Sequence, residues 1–327
     1  MRLHTGLNPY GLSYHLGLHA AGTPRANPHP AGLPGYIALA REFGARSIEL
    51  WDGVLLSMSA PELDALRHEL VALGMIPIVS ARLAPSLFAR QLEIAAALDA
   101  PTIRLALTTV LCGDRAVCTP PWPDRVAAVR NELGQFAHLA DAAGKTLAIE
   151  NHQDFTSREL VSLCQDLGPS VGITYDTGNS FPVGEAPLDF TAVIAPYVRH
   201  IHLKDYTVQP TPEGFRLVRC ALGDGAVPFT EILAVIGAFR DEVTAVMELA
   251  ALEARHVRLL TDAWWRLYPP RDEAALARCL AATTVNALAA DADYRTPWEK
   301  GDDAALATYE LDMIRRSAAN MRAMGIL

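Results

Sequence analysis

Thr146-Leu147-Ala148-Ile149-Glu150 and, further along, Val171-Gly172-Ile173-Thr174-Tyr175-Asp176 are the runs whose reading decides the fold. Side chains alternate along a strand, so each run has a bulky apolar face and a small or acidic one. Leu147, Ile149, Val171, Ile173 and Tyr175 share the first kind of face. Ala148, Glu150, Gly172, Thr174 and Asp176 share the second, with the acid last in each run. Strands of this type recur at Ser47–Trp51, Ile76–Val79, Thr102–Ala106, Val198–Leu203 and Val243–Glu248, and a strand near Leu7–Tyr14 makes eight. Segments of helical periodicity separate them, such as Ala60–Leu73 with Leu63, Leu66, Leu70 and Leu73, stopped by Gly74. Strict alternation of strand and helix implies parallel pairing. Eight units over about 250 residues predict a (β/α)8 TIM barrel, and no G-x-G-x-x-G opens a helix after the first strand as a Rossmann sheet requires.

The expected organisation is a barrel over residues 1–252, a helical aromatic insertion over 253–302 containing Trp264-Trp265-Arg266-Leu267-Tyr268, and a closing helix over 303–327 with Leu306, Tyr309, Met313 and Met321 among its apolar positions. Of the 327 residues half are apolar and a fifth charged, a globular composition. Lys and Arg number 28 against 37 Asp and Glu, a formal charge of −9 that argues against a nucleic-acid partner. No run is long enough to span a membrane, and the opening Met1–Gly6 lacks the apolar core of a signal peptide, so a cytoplasmic location is expected. The five cysteines show no C-x-x-C spacing and are expected to be buried free thiols.

Four late strands end in a hard ligand: Glu150, Asp176, His202 and Glu248, spaced 26, 26 and 46 residues apart. Strand C-termini are where barrels do chemistry. Three carboxylates converging on one mouth repel one another unless a cation compensates, and two Glu, one Asp and one His make a mainly oxygen site for one divalent metal ion. Mn2+ is preferred, with Mg2+, Co2+ or Zn2+ as alternatives.

The ordered series Glu150-Asn151-His152, Asp176-Thr177-Gly178-Asn179, His202-Leu203-Lys204-Asp205 and a terminal Glu248 resembles the xylose isomerase-like TIM-barrel superfamily, often labelled sugar phosphate isomerase/epimerase. The resemblance implies that Glu150, Asp176, His202 and Glu248 hold the metal, with Glu150 and Glu248 doubling as acid/base residues. It also implies a substrate-binding role for Arg219, four residues before Gly223-Asp224-Gly225, although a hairpin over Tyr206–Leu222 intrudes and an ordinary hairpin arginine fits equally. Those glycines either shape a phosphate loop, which Asp224 disfavours, or form a plain turn. Asn179 stands where the trinuclear zinc endonuclease branch would place a histidine ligand, and His202 where dehydroshikimate dehydratase-like members commonly carry Gln.

Other residues carry two readings each. His152 either contacts substrate or orients Glu150; Lys204 neutralises an ene-diolate or orients a carboxylate. Glu49 binds substrate hydroxyls or forms an outer salt bridge. His200 is a satisfied interior histidine. Asn179 is a further substrate-binding candidate, and Trp264 and Trp265 either cover the mouth, contact a second subunit, or pack the insertion. The function expected is a divalent-metal-dependent sugar isomerase or epimerase that removes the proton alpha to a carbonyl of a ketose or keto-sugar through an ene-diolate. A lyase or dehydratase acting by β-elimination on a 3-keto sugar or glycoside is the alternative, and a non-catalytic binding barrel the alternative of another class. The partners expected are a small-molecule sugar and further copies of the chain in a dimer or tetramer.

Overall fold

The computed structural model describes the backbone of residues 1–327 and every side chain but that of Ala307. Eight parallel strands close into a barrel: β1 (Arg2–Leu7), β2 (Ser47–Leu50), β3 (Ile76–Arg82), β4 (Thr102–Ala106), β5 (Thr146–Glu150), β6 (Val171–Asp176), β7 (Val198–Leu203) and, after a hairpin of β8 (Tyr206–Thr211) and β9 (Gly214–Arg219), β10 (Glu242–Met247). β1 lies between β10 and β2 and completes the ring. It ends earlier than the sequence suggests. Pro9 has no N–H to give a ladder, Asn8 accepts from the Tyr10 N–H at 2.8 Å, and Pro9–Leu12 turn as a 3-10 helix.

The helices of the outer ring are α1 (Gly32–Glu42), α3 (Ala60–Leu73), α4 (Phe88–Ala97), α5 (Trp122–Ala142), α6 (Ser157–Leu167), α7 (Pro187–Ile194), α8 (Phe229–Gly237) and α12 (Asp303–Ala323); α2 (Asp52–Leu55) is a single turn after β2. α3 shows how local sequence sets the bounds. Ser59 and Glu62 form a capping box, Leu63, Leu66 and Leu70 form the buried stripe, and Gly74 ends the helix at φ +66, where a side chain would be strained. The outward faces of the strands meet the helices in a dry layer. Ile103, Leu105, Leu147, Ile149, Ile173, Tyr175 and Ile201 are all fully buried.

The insertion contains α9 (Asp262–Trp265), α10 (Glu273–Ala282) and α11 (Pro297–Lys300), but it opens with a strand rather than a helix. β11 (Arg255–Val257) pairs antiparallel with β9, Arg255 opposite Leu217, so hairpin and insertion share a three-stranded sheet. No helix is long and apolar enough to cross a membrane among the described residues.

Phe136 of α5 is fully buried and stacks on Phe88 of α4, ring centroids 4.2 Å apart. Phe136→Ala is expected to cost about 3–5 kcal/mol of stability by chemical denaturation, the range for removing a buried ring, without changing the metal content of the purified protein.

Candidate metal centre and cavity

Register brings the four strand-end ligands together. Asp176 lies directly opposite His202 across the β6–β7 ladder, and Val246 opposite His202 across β7–β10, which puts Glu248 just beyond the end of β10. Single ligand atoms of Glu150, Asp176, His202 and Glu248 all lie within 4.8 Å of one another, and all four residues are buried. The motif residues between them are ties. The Asn151 amide accepts from the Asp176 N–H (2.6 Å) and donates to its C=O (2.8 Å), as a neighbouring strand would. The Thr177 hydroxyl joins the Lys204 N–H (2.9 Å) and C=O (2.7 Å).

Beneath this layer lies a second one. Glu49 is fully buried and accepts from Arg104 Nε at 2.9 Å, and its other oxygen lies 2.6 Å from His202 Nε2 and 3.2 Å from His200 Nε2. Both Glu49 oxygens are engaged below the ligands, and Glu49 is absent from the cavity lining, as the outer salt-bridge reading expects. His200 is satisfied on its other side by Thr244. A carboxylate holding Nε2–H leaves Nδ1 of His202 as a lone pair, the arrangement seen behind metal-bound histidines. That Nδ1 lies 2.7 Å from Glu248 Oε2 and 3.4 Å from Glu150 Oε1. Neither Nδ1 nor Glu248 Oε2 has a hydrogen-bond partner, although both are buried. An imidazole nitrogen and a carboxylate oxygen facing each other at that distance call for a cation between them, a proton or a metal ion.

Charge leads to the same place. Glu49, Glu150, Asp176 and Glu248 bring four negative charges, and Arg104 and Lys204 two positive ones: Arg104 Nη1 is 3.2 Å from Glu150, and Lys204 Nζ bonds Asp176 and lies 2.8 Å from Glu248. The balance, four less two, is the charge of one divalent ion. Burial alone would raise every carboxyl here. Against burial, Arg104 and then His202 hold Glu150 well below the carboxylate range, and Lys204 with His202 hold Glu248 down at about 2. Asp176 goes the other way. Burial, reinforced by Glu248 and Glu150, lifts it to about 7 despite Lys204. His202 is raised well above the usual imidazole value, since Glu49 and Glu248 outweigh its burial. The donor set thus fits a divalent metal, which would replace protons on Asp176 and His202.

Above the ligands opens a cavity of about 1030 Å³, lined by Tyr10, His152, Gln153, Asn179, Tyr206 and Arg255 among others. His152 lies on its wall with Nδ1 unpartnered. Asn179 donates to Asp176 (2.6 Å) and accepts from Gln153 (3.1 Å), so it is both a tether and a wall residue. Lys204 reaches the cavity from between Asp176 and Glu248.

Two expected substrate contacts lie elsewhere. The Arg219 side chain is fully buried and donates to Ala250 O (2.5 Å) and Gly11 O (2.6 Å), with Glu310 3.8 Å away. It ties the loop after β10 to the N-terminal turn and α12, because the intervening hairpin carries it to the outside of the mouth. Trp264 and Trp265 do not face the cavity either. Trp264 donates to Cys112 O (3.3 Å) in the loop after β4 and stacks on Tyr268 at 4.0 Å; Tyr268 donates to Gly113 O; and Trp265 donates to Leu259 O. The rings pack the insertion onto loops at the C-terminal end of the barrel.

Sequence reasoning missed Arg104, Gln153, Tyr206, Tyr10 and Arg255. Arg104 carried a signal: it is the charged residue between Ile103 and Leu105 on the inward face of β4. Arg255 carried none, since only the pairing of β11 with β9 brings it to the mouth.

A protonated Asp176 cannot ligate, so apparent affinity for Mn2+ falls as pH falls through about 7. Competition against a fluorescent chelator should show affinity about tenfold or more weaker at pH 6 than at pH 8; a flat profile contradicts the ligand assignment.

The chain matches known proteins along most of this architecture. It is 26% identical over 247 residues to the 3-oxo-isoapionate decarboxylase of Pectobacterium atrosepticum, covering 73% of this chain and 86% of that protein. It is 30% identical over 111 residues to the uncharacterized protein YihM of Escherichia coli, a stretch spanning about a third (34%) of either chain. Among solved structures, D-psicose 3-epimerase determined in the presence of D-fructose superposes with a TM-score of 0.53 at 20% identity, covering 76% of this chain and 91% of that one. The xylose isomerase-like TIM barrel family matches residues 37–261, more than half of the length, and the chain belongs to that family.

Proposed function

We propose that this protein is a divalent-metal-dependent enzyme that moves the proton alpha to a carbonyl of a ketose or keto-sugar, an isomerase or epimerase in its reaction type. One observation carries this reading: two ionised carboxylates, Glu150 and Glu248, flank the buried Nδ1 of His202 at the floor of a cavity large enough for a sugar. A divalent ion held by Glu150, Asp176, His202 and Glu248, Mn2+ by preference for this oxygen-rich set, supplies Lewis acidity to a carbonyl and its neighbouring hydroxyl.

The residues divide the remaining work. Arg104 keeps Glu150 ionised, and so able to accept a proton although the same pair lowers its basicity, and Glu150 removes the C–H proton from one face of the substrate. Glu248, adjacent to Lys204, delivers a proton from the other side once it has taken one up from solvent, and Glu150 releases its own to solvent to close the cycle. Return to the opposite face of the same carbon gives an epimer; return to the neighbouring carbon interconverts aldose and ketose. Gln153, Asn179, His152 and Tyr206 supply donors and acceptors for hydroxyls along the wall. The small-molecule sugar expected as partner fits this lining, and a dimer or tetramer remains part of the proposal.

The lyase reading is favoured by the decarboxylase relative. The same ene-diolate that Glu150 generates by removing a proton also arises when a β-keto acid loses CO2, and it collapses with loss of a β-substituent. The floor of the site serves either outcome.

Glu150→Gln and Glu248→Gln are each expected to lower turnover at least about a hundredfold, the lower end of what a positioned acid or base contributes. The assay is NMR in deuterated water over free ketoses, 3-keto glycosides and 3-oxo sugar acids. Exchange of a carbon-bound proton without fragmentation supports isomerase chemistry, and loss of CO2 or of a substituent supports the lyase. Undiminished rates in either variant, with metal still bound, remove the acid/base pair.

A further inference from the structure

Five cationic side chains line the cavity, and four have a carboxylate within 4 Å. Arg82 pairs with Asp52 (2.6 Å), Arg104 with Glu49 (2.9 Å), Arg125 with Glu132 (3.7 Å) and Lys204 with Glu248 (2.8 Å). The fifth, Arg255, has neither an ion pair nor a side-chain hydrogen bond among the described residues, although it is half-buried. Its placement is fixed. β11 pairs with β9 with Arg255 opposite Leu217, and Arg255 shares a strand face with the fully buried Val257, while His256 turns to Thr211 on the other face. Glu253, two residues away, also lines the cavity, 3.6 Å from His19 and more than 4 Å from any arginine.

With a divalent ion neutralising the acid cluster below, Arg255 is the cationic side chain on the wall with no carboxylate within 4 Å, Glu253 on the same wall lying against His19 instead. A half-buried guanidinium kept without a partner is a receptor for an anion, and its planar fork matches a carboxylate. We propose that the substrate is a sugar acid whose carboxylate is received by Arg255 while its carbonyl end lies over Glu150 and Glu248; this rests on the proton-transfer reading of that floor.

A sugar phosphate is the rival anion, and the fold has already filled the place where a barrel of this kind would take it. The loop after β9 contains Gly223-Asp224-Gly225, following the seventh barrel strand, where phosphate nests form. Its N–H groups are spent on Asp205, whose carboxylate accepts from Gly223 (2.9 Å), Gly225 (2.9 Å), Val227 (3.0 Å) and Tyr206 (2.9 Å). A side chain at Gly225 would collide with that carboxylate. The turn is therefore closed around the chain's own anion.

Calorimetric titration of the Mn2+-loaded protein with D-gluconate, D-glucitol and D-glucitol 6-phosphate tests the proposal. Gluconate is expected to bind at least about tenfold tighter than glucitol, as a charge-assisted pair provides, and the phosphate to show no such gain. In Arg255→Gln the gluconate preference should fall to within about twofold, and in Arg255→Lys it should be partly retained. A preference that survives Arg255→Gln shows that metal chelation or another group binds the acid and overturns the proposal. So does a wild-type protein that does not discriminate, or one that favours the phosphate. The metal content and proton-exchange rate of the same samples, with Glu150→Gln alongside, report separately on the floor of the site, so either idea can fail alone.

Discussion

Four carboxylates buried at one end of a barrel, with only two cationic side chains among them, are the constraint on which the rest of this structure depends. Burying an uncompensated charge costs on the order of several kcal/mol. Glu49, Glu150, Asp176 and Glu248 are each less than a tenth exposed. The fold meets this with a tiered arrangement. Arg104 lies between Glu49 and Glu150, Lys204 between Asp176 and Glu248, and His202 turns one nitrogen down to Glu49 and the other up to the acids. Two charges are still missing, and they are missing where unpartnered acceptor atoms converge.

That arrangement explains why the loops are built as they are. Asn151 and Thr177 spend their side chains on backbone groups of neighbouring strand ends, and Asp205 spends its own on the loop after β9, so the ligands sit on a rigid floor. The insertion, by contrast, has two tasks. Its aromatic run fills the space against the loops after β4 and β6, and its first strand delivers Arg255 to the cavity wall. Substrate recognition in this proposal thus comes from the short sheet beside the barrel, and chemistry from the barrel itself.

Much of this was legible because the relevant signals are local. Period-two alternation separates Ile149 from Glu150 and Tyr175 from Asp176, and the strands carrying them match the structure, β5 and β6 residue for residue. The four candidate ligands were visible for the same reason, since each follows its strand's inward face to the end. What was not legible depends on contacts between distant segments. Arg219 looks the same in sequence whether it faces a substrate or, as here, Gly11 and Ala250. The tryptophans' partners, Cys112 and Leu259, and the pairing of Arg255 with Leu217 carry no periodic signature. The first strand was misplaced because Leu7–Tyr14 is apolar enough for a strand while Pro9 denies it the hydrogen bond.

The central claim is that the charge deficit of two is filled by one metal ion. Elemental analysis of protein equilibrated with Mn2+ and then desalted, run beside His202→Ala and Asp176→Ala, measures this directly. The account predicts about one ion per chain in the wild type and a loss of bound metal in both variants, with a lower melting temperature, since a ligand that binds only the native state stabilises it. A wild type that takes up no metal, or variants that retain it in full, would contradict the account.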